Sequence, residues 1–172
     1  MNVQDNLFEK PLIDYITVAV EYCKTLESCQ GQDRKDFVEV MRKLLPMMYL
    51  KFSLLPEYEE YPGFNEPHVT EEDYDFIRYN IAKTMGEQDD FLDVFVEDFK
   101  YSDQPVLCTL SENLSDIYQC QRDFIEIVRG GHDEALRVSL HEHQEQFRCS
   151  WGMKCLNSLR APHDVCFSIH ND

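Results

Sequence analysis

The chain carries 33 Asp and Glu against 16 Lys and Arg in 172 residues, a formal net charge of -17, with 43% hydrophobic and 12% aromatic residues. That apolar content excludes an intrinsically disordered chain, and at this length a core closes without disulfides or metal. The acidity excludes the commonest polyanion-binding roles, because nucleic acids and anionic membranes are gripped through Lys and Arg.

A first helix is expected over about residues 12–30, where Leu12, Tyr15, Ile16, Ala19, Tyr22, Cys23 and Leu26 keep a helical period behind Pro11. Asp33 suits the N-cap of a second, whose stripe runs from Phe37 through Met48 to Leu55. Pro46 interrupts that stripe without changing its face, so one kinked helix is expected. Pro62, Gly63 and Pro67 mark an ordered acidic loop, after which Thr70-Glu71-Glu72-Asp73 opens a third helix that Gly86 stops. Residues 87–101 mix aromatics with acids. A short helix or packed loop fits them better than a strand, since no partner strand is visible.

The fourth helix is expected over residues 103–129, with Pro105 in its first turn, Val106 and Leu107 on its apolar stripe, and Gly130-Gly131 as its stop. The last is expected from Asp133 to Arg160, ended by Pro162. Its apolar face changes at Gly152, which either bends the helix or admits a neighbouring backbone. The fold class is therefore all-α, a bundle of about five helices in one domain spanning residues 1–172, with an irregular acidic segment around 57–103.

The N-terminus lacks a basic start followed by an apolar run, so no secretory signal is expected. No apolar stretch approaches the roughly 20 residues that span a bilayer. Seven cysteines, an odd number with no Cys-x-x-Cys pair, suggest reduced and mostly buried thiols in the cytoplasm.

Motifs for chemistry are sparse. No Glu has a His three residues on, as a di-iron bundle requires, and position 145, where His-Glu-x-x-His needs its second His, is Glu. The Asp89-Asp90-Phe91-Leu92-Asp93 run lacks the alternating ligands and central Gly of an EF-hand. Phosphate loops and a Gly-x-Ser-x-Gly elbow are missing too, so no metal, cofactor or catalytic residue is expected. His143 and Trp151 fall on the apolar stripe of the last helix and read as core, while His141 points elsewhere.

Glu112, Asp116, Gln119 and Asp123 form one row on the fourth helix, suited to a cation or a basic helix, or simply to water. Gln121 lies inside the apolar stripe and needs a hydrogen bond, most cheaply from a backbone group of a neighbouring helix. Arg160 and His163, near the expected helix end, offset its carbonyl dipoles and are the candidate anion ligands.

Charge is uneven along the chain. Residues 57–103 hold 15 Asp and Glu, three Lys and Arg, and ten of the 21 aromatics. An acidic segment so rich in Tyr and Phe reads as a folded flap that packs on the bundle and faces a basic partner.

Leu44-Leu45-Pro46-Met47-Met48-Tyr49-Leu50-Lys51, Tyr101-Ser102-Asp103-Gln104-Pro105-Val106, the run Ser111 to Gln119, Trp151-Gly152, Leu159-Arg160-Ala161 and His163 together resemble an uncharacterised bacterial family, domain of unknown function 5063. The resemblance implies an all-helical fold and brings no activity, cofactor or partner. Where that family tends to read Leu-x-x-Leu-His, this chain has Leu159-Arg160-Ala161-Pro162-His163, which predicts an early stop to the final helix.

The leading expectation is a non-enzymatic cytoplasmic domain that meets a basic protein through an acidic surface containing Glu59, Glu60, Glu71 and Glu72, with the Glu112, Asp116 and Asp123 row as a further candidate contact. Direct nucleic-acid or membrane binding is not expected, and the oligomeric state stays open. The alternatives are an enzyme or small-ligand binder with a polar pocket between helices, drawing on Glu112, Asp116 and His141, and an acidic mimic of nucleic acid.

Overall fold

The computed structural model describes residues 7–93 and 104–168. Helix α1 (Lys10–Glu27) has Pro11 in its first turn and buries Leu12, Tyr15, Ala19, Tyr22, Cys23 and Leu26 along one stripe. Helix α2 (Arg34–Ser53) starts at Asp33, whose carboxylate accepts the Lys35 amide at 2.8 Å. It runs unbroken past Pro46, which lies on the exposed side and removes only the hydrogen bond to the carbonyl one turn back. Helix α3 (Glu71–Met85) begins with a reciprocal capping box. The Thr70 hydroxyl accepts the Asp73 amide, and the Asp73 carboxylate accepts the Thr70 amide, each at 3.1 Å.

After a 3-10 turn at Gly86–Asp89 the chain forms strand β1 (Asp90–Asp93), paired antiparallel with β2 (Val106–Thr109). This corrects two expectations. Residues 90–93 are a strand, and their partner is the stretch assigned above to the first turn of the fourth helix. Residues 94–101 of the ambiguous segment lie outside the described residues. Leu92 faces Leu107 across the ladder, and Leu107 is 64% exposed, so it is not on the apolar stripe. Pro105 precedes the strand, where its missing N–H costs no ladder bond.

Helix α4 therefore spans Leu110–Gly130, seven residues shorter at its start than expected. Thr109 accepts the Glu112 amide at 3.2 Å, while Asp89 accepts the amide and hydroxyl of Ser111 at 2.7 and 2.6 Å. A hydroxyl and a carboxylate thus hold a helix start that would otherwise leave orphan donors.

The last helical run is longer than expected. Helix α5 (Asp133–Gln146), a π turn (Phe147–Trp151) and helix α6 (Gly152–Phe167) follow one another without a break. Inward positions 143, 147, 151 and 155 advance by four each time, and in a 3.6-residue helix each step drifts by about 40°. The wider π turn absorbs that drift and accounts for the change of face at Gly152. Gly152 donates to the Phe147 carbonyl, and a Cβ there would lie 2.4 Å from that oxygen. Pro162 does not end the helix, which continues five residues beyond it. Like Pro46 it removes a single backbone bond, and its ring is buried.

In this all-α bundle α4 packs on α1, α3, α5 and α6, and α2 packs on α6. Tyr15, Phe52, Phe124, His143, Phe147 and Trp151 meet in an aromatic cluster where these helices converge. No described helix is long and apolar enough to cross a membrane.

Candidate functional site: an anchored acidic face

The loop from residue 54 to 69 and helix α3 carry much of the acidity, and buried or half-buried polar groups fasten both to the bundle. Gln144 on α5 accepts the Tyr58 amide at 3.0 Å and donates to the Pro56 carbonyl at 3.1 Å. Asn65 donates to the Ala135 carbonyl at 2.9 Å. Gly63, at φ +148°, brings the loop so close to α5 that a Cβ would lie 2.8 Å from Val138.

Asp123 on α4 accepts the amides of His68 and Val69, both at 2.8 Å, through one carboxylate oxygen. Seven residues earlier, Asp116 accepts the Tyr74 hydroxyl at 2.6 Å and pairs with Lys154 on α6. Burial, then this bond to a carboxylate, hold the Tyr74 phenol well above its usual pKa, so it stays a donor. The row on α4 is thus neither a bare solvated face nor a free cation grip. Asp116 and Asp123 are half-buried anchors for the acidic segment, and Glu112 at the row's end is exposed.

With its inner side held, α3 buries Ile77, Asn80, Ile81 and Met85 and turns Glu72, Phe76, Tyr79 and Lys83 outward at spacings of four, three and four. Phe76 is 52% exposed and Tyr79 64%. Glu71 beside them is exposed, as are Glu59, Glu60 and Glu66 on the loop. Asp75 pairs with Arg78 at 3.5 Å. Two large exposed aromatics on an anchored helix that also carries exposed Glu71 and Glu72 join an apolar contact to a charged one.

His141 lies elsewhere. Its Nδ1 is 3.0 Å from the Tyr58 carbonyl oxygen, which only accepts, so in the neutral ring Nδ1 carries the proton and Nε2 is bare. It lines a cleft of about 690 Å³ between loop 64–67, α4 and α5, together with Asp123 but without Glu112 or Asp116. The three polar residues grouped in the ligand-binding alternative therefore do not converge there. Among the described residues, no three His, Cys, Asp or Glu side chains form a metal-binding group.

Arg160 and His163 are mid-helix rather than near a helix end, because α6 continues to Phe167. They share a groove of about 410 Å³ with Arg42, Leu156 and Leu159. Arg42 is paired with Glu39 at 2.5 Å and Arg160 with Asp164 at 3.3 Å, so each guanidinium already has a carboxylate.

His143 and Trp151 are core residues, as read from the sequence. Gln121 is buried too, but its carbonyl accepts from the Tyr15 hydroxyl, not from a backbone group. All seven cysteines are free thiols. Three are buried, Cys149 is exposed, and Cys120 in the cleft is pushed up to about 12 by burial, which leaves it a poor nucleophile.

The residue that sequence reasoning missed is Asp89, set aside as a poor calcium ligand and in fact a buried cap of α4. A signal was present: Thr109-Leu110-Ser111-Glu112 has the Thr-x-x-Glu spacing of a helix start.

The fold has a solved relative. A crystal structure of protein BF1032 from Bacteroides fragilis matches at 37% identity and TM-score 0.84, over 96% of this chain and 98% of that one. No curated protein matches significantly. The family described as domain of unknown function DUF5063 matches residues 6–168, nearly the whole length. This chain, an anchored acidic face on an all-α bundle, is a member of the DUF5063 family.

Proposed function

We propose that the protein is a cytoplasmic interaction domain that binds a basic protein surface through loop 57–70 and the outward face of α3. The carrying observation is the pair Phe76 and Tyr79, exposed on the helix that also carries exposed Glu71 and Glu72 and is held by Tyr74–Asp116 and the Thr70–Asp73 box. Aromatic anchors inside a charged rim are the composition of binding hot spots, and pre-ordering the helix reduces the entropy lost on association. Carboxylates around the anchors attract a basic partner and orient it before contact.

Capture from native extract, with Glu59, Glu60, Glu71 and Glu72 reversed to Lys in the comparison bait, tests the reading. The retained partner is expected to be basic, to elute as salt rises and to be lost from the reversed bait. Equal retention by both baits would end the proposal.

A further inference from the structure

The cleft between loop 64–67, α4 and α5 is a half-open groove whose charged lining is entirely acidic. Its volume of about 690 Å³ lies within the roughly 300–1,000 Å³ usual for small-molecule sites. Carboxylates line it from three sides: Glu66 on the loop, Asp123 on α4, and Glu142 and Glu145 on α5. Glu145 is neutralised by Arg148, and Asp123 uses one oxygen on the loop amides, leaving the other open. Glu66 and Glu142 have no partner, and the His141 Nε2 is a bare acceptor. No Lys or Arg lines the cleft.

A second observation is independent of the acids. Ser139 is only 7% exposed, faces this cleft and has no hydrogen-bond partner. Its hydroxyl oxygen stays open to the cleft, where water or a ligand can meet it without any contact in the fold being lost. At the base of the cleft Phe124 stacks on His143 at 4.6 Å, and Phe64, 77% exposed, stands at the rim. Acceptors without cationic donors, joined to aromatic faces, match a ligand that brings both N–H donors and positive charge.

We propose that this cleft binds a small organic amine in its ammonium form, with Glu142 and the open Asp123 oxygen taking its charge and Ser139 and His141 taking its N–H groups. The cleft shares loop 64–67 with the proposed contact surface but not Phe76, Tyr79, Glu71 or Glu72, so variants at those four residues separate the two readings.

Calorimetric titration with putrescine, with acetate as the anionic control, tests it. Saturable one-to-one binding is expected, weakened roughly tenfold by Glu142→Gln, as loss of a charged hydrogen bond implies. Ser139→Ala is expected to weaken binding several-fold while leaving the unfolding midpoint of the free protein unchanged, since its hydroxyl supports no contact in the fold. The double variant Glu71→Gln, Glu72→Gln removes charge outside the cleft and is expected to bind as the wild type does. Absence of saturable binding at millimolar putrescine, equal affinity for acetate, full affinity in the Ser139→Ala variant, or an equal loss in the double variant would overturn the proposal.

Discussion

At the residue scale, His143 sets a pH dependence. Burial pushes its pKa down to about 3, against about 6.5 for an exposed histidine. The single proton of the Tyr15 hydroxyl goes to the Gln121 carbonyl, so the His143 Nε2, 2.7 Å from that oxygen, is the donor. Between pH 6.5 and 3 the unfolded chain binds a proton at this site that the native protein refuses. Protons therefore favour unfolding across that window, by up to about 1.4 kcal/mol per pH unit. Urea unfolding is expected to show stability falling from pH 7 to pH 4. His143→Gln, whose amide retains a donor at the Nε2 position, is expected to flatten the slope; equal slopes in the two proteins would refute this assignment. The burial of His143 was legible from its stripe. Its link to Tyr15 was not, because residues 128 apart in sequence become neighbours only through packing.

At the element scale, two devices are open to test. Asp116 and Asp123 fasten an acidic loop and α3 to α4, so replacing either with Ala is expected to speed amide hydrogen exchange at residues 64–80 by more than tenfold. Exchange in α1 and α2 should change far less; uniform acceleration would mean that the anchors serve the whole core. Gly152→Ala places a Cβ against the Phe147 carbonyl and ring, and is expected to cost about 1–3 kcal/mol in urea unfolding as an overpacking change. A cost below about 0.5 kcal/mol would show that the π turn yields freely. Stripes and caps made α1, α2 and α3 readable. The hairpin was misread because four residues, Val106 to Thr109, satisfy a helical first turn as well as a strand, and the deciding partner lies 16 residues earlier. Pro162 was misread because a proline removes one helical bond and does not forbid the next turn when packing holds it.

At the scale of the whole molecule, the charge of -17 is uneven along the chain: residues 57–103 hold 15 Asp and Glu against three Lys and Arg, and the loop and α3 within them are anchored to the bundle. Like charges on this face repel one another, and salt screens them over about 10 Å at 0.1 M. Thermal unfolding is therefore expected to shift upward as NaCl rises from 50 to 500 mM, and to shift less in the variant with Glu59, Glu60, Glu71 and Glu72 reversed; identical shifts would disconnect the face from the charge effect. The concentration of acid and aromatic residues in one window was legible in the sequence. Which acids face inward was not, since Asp116 and Asp123 share a row with exposed Glu112 and differ from it only in what the loop and α3 bring against them.

The central claim is that Phe76 and Tyr79 anchor a basic partner on the acidic face. Its most direct test is a titration of the captured partner against the Phe76→Ala, Tyr79→Ala double variant, whose fold should be intact because both rings face water. Loss of two hot-spot aromatics is expected to weaken binding by roughly a hundredfold or more, mainly through faster dissociation. Wild-type affinity in that variant would contradict the account.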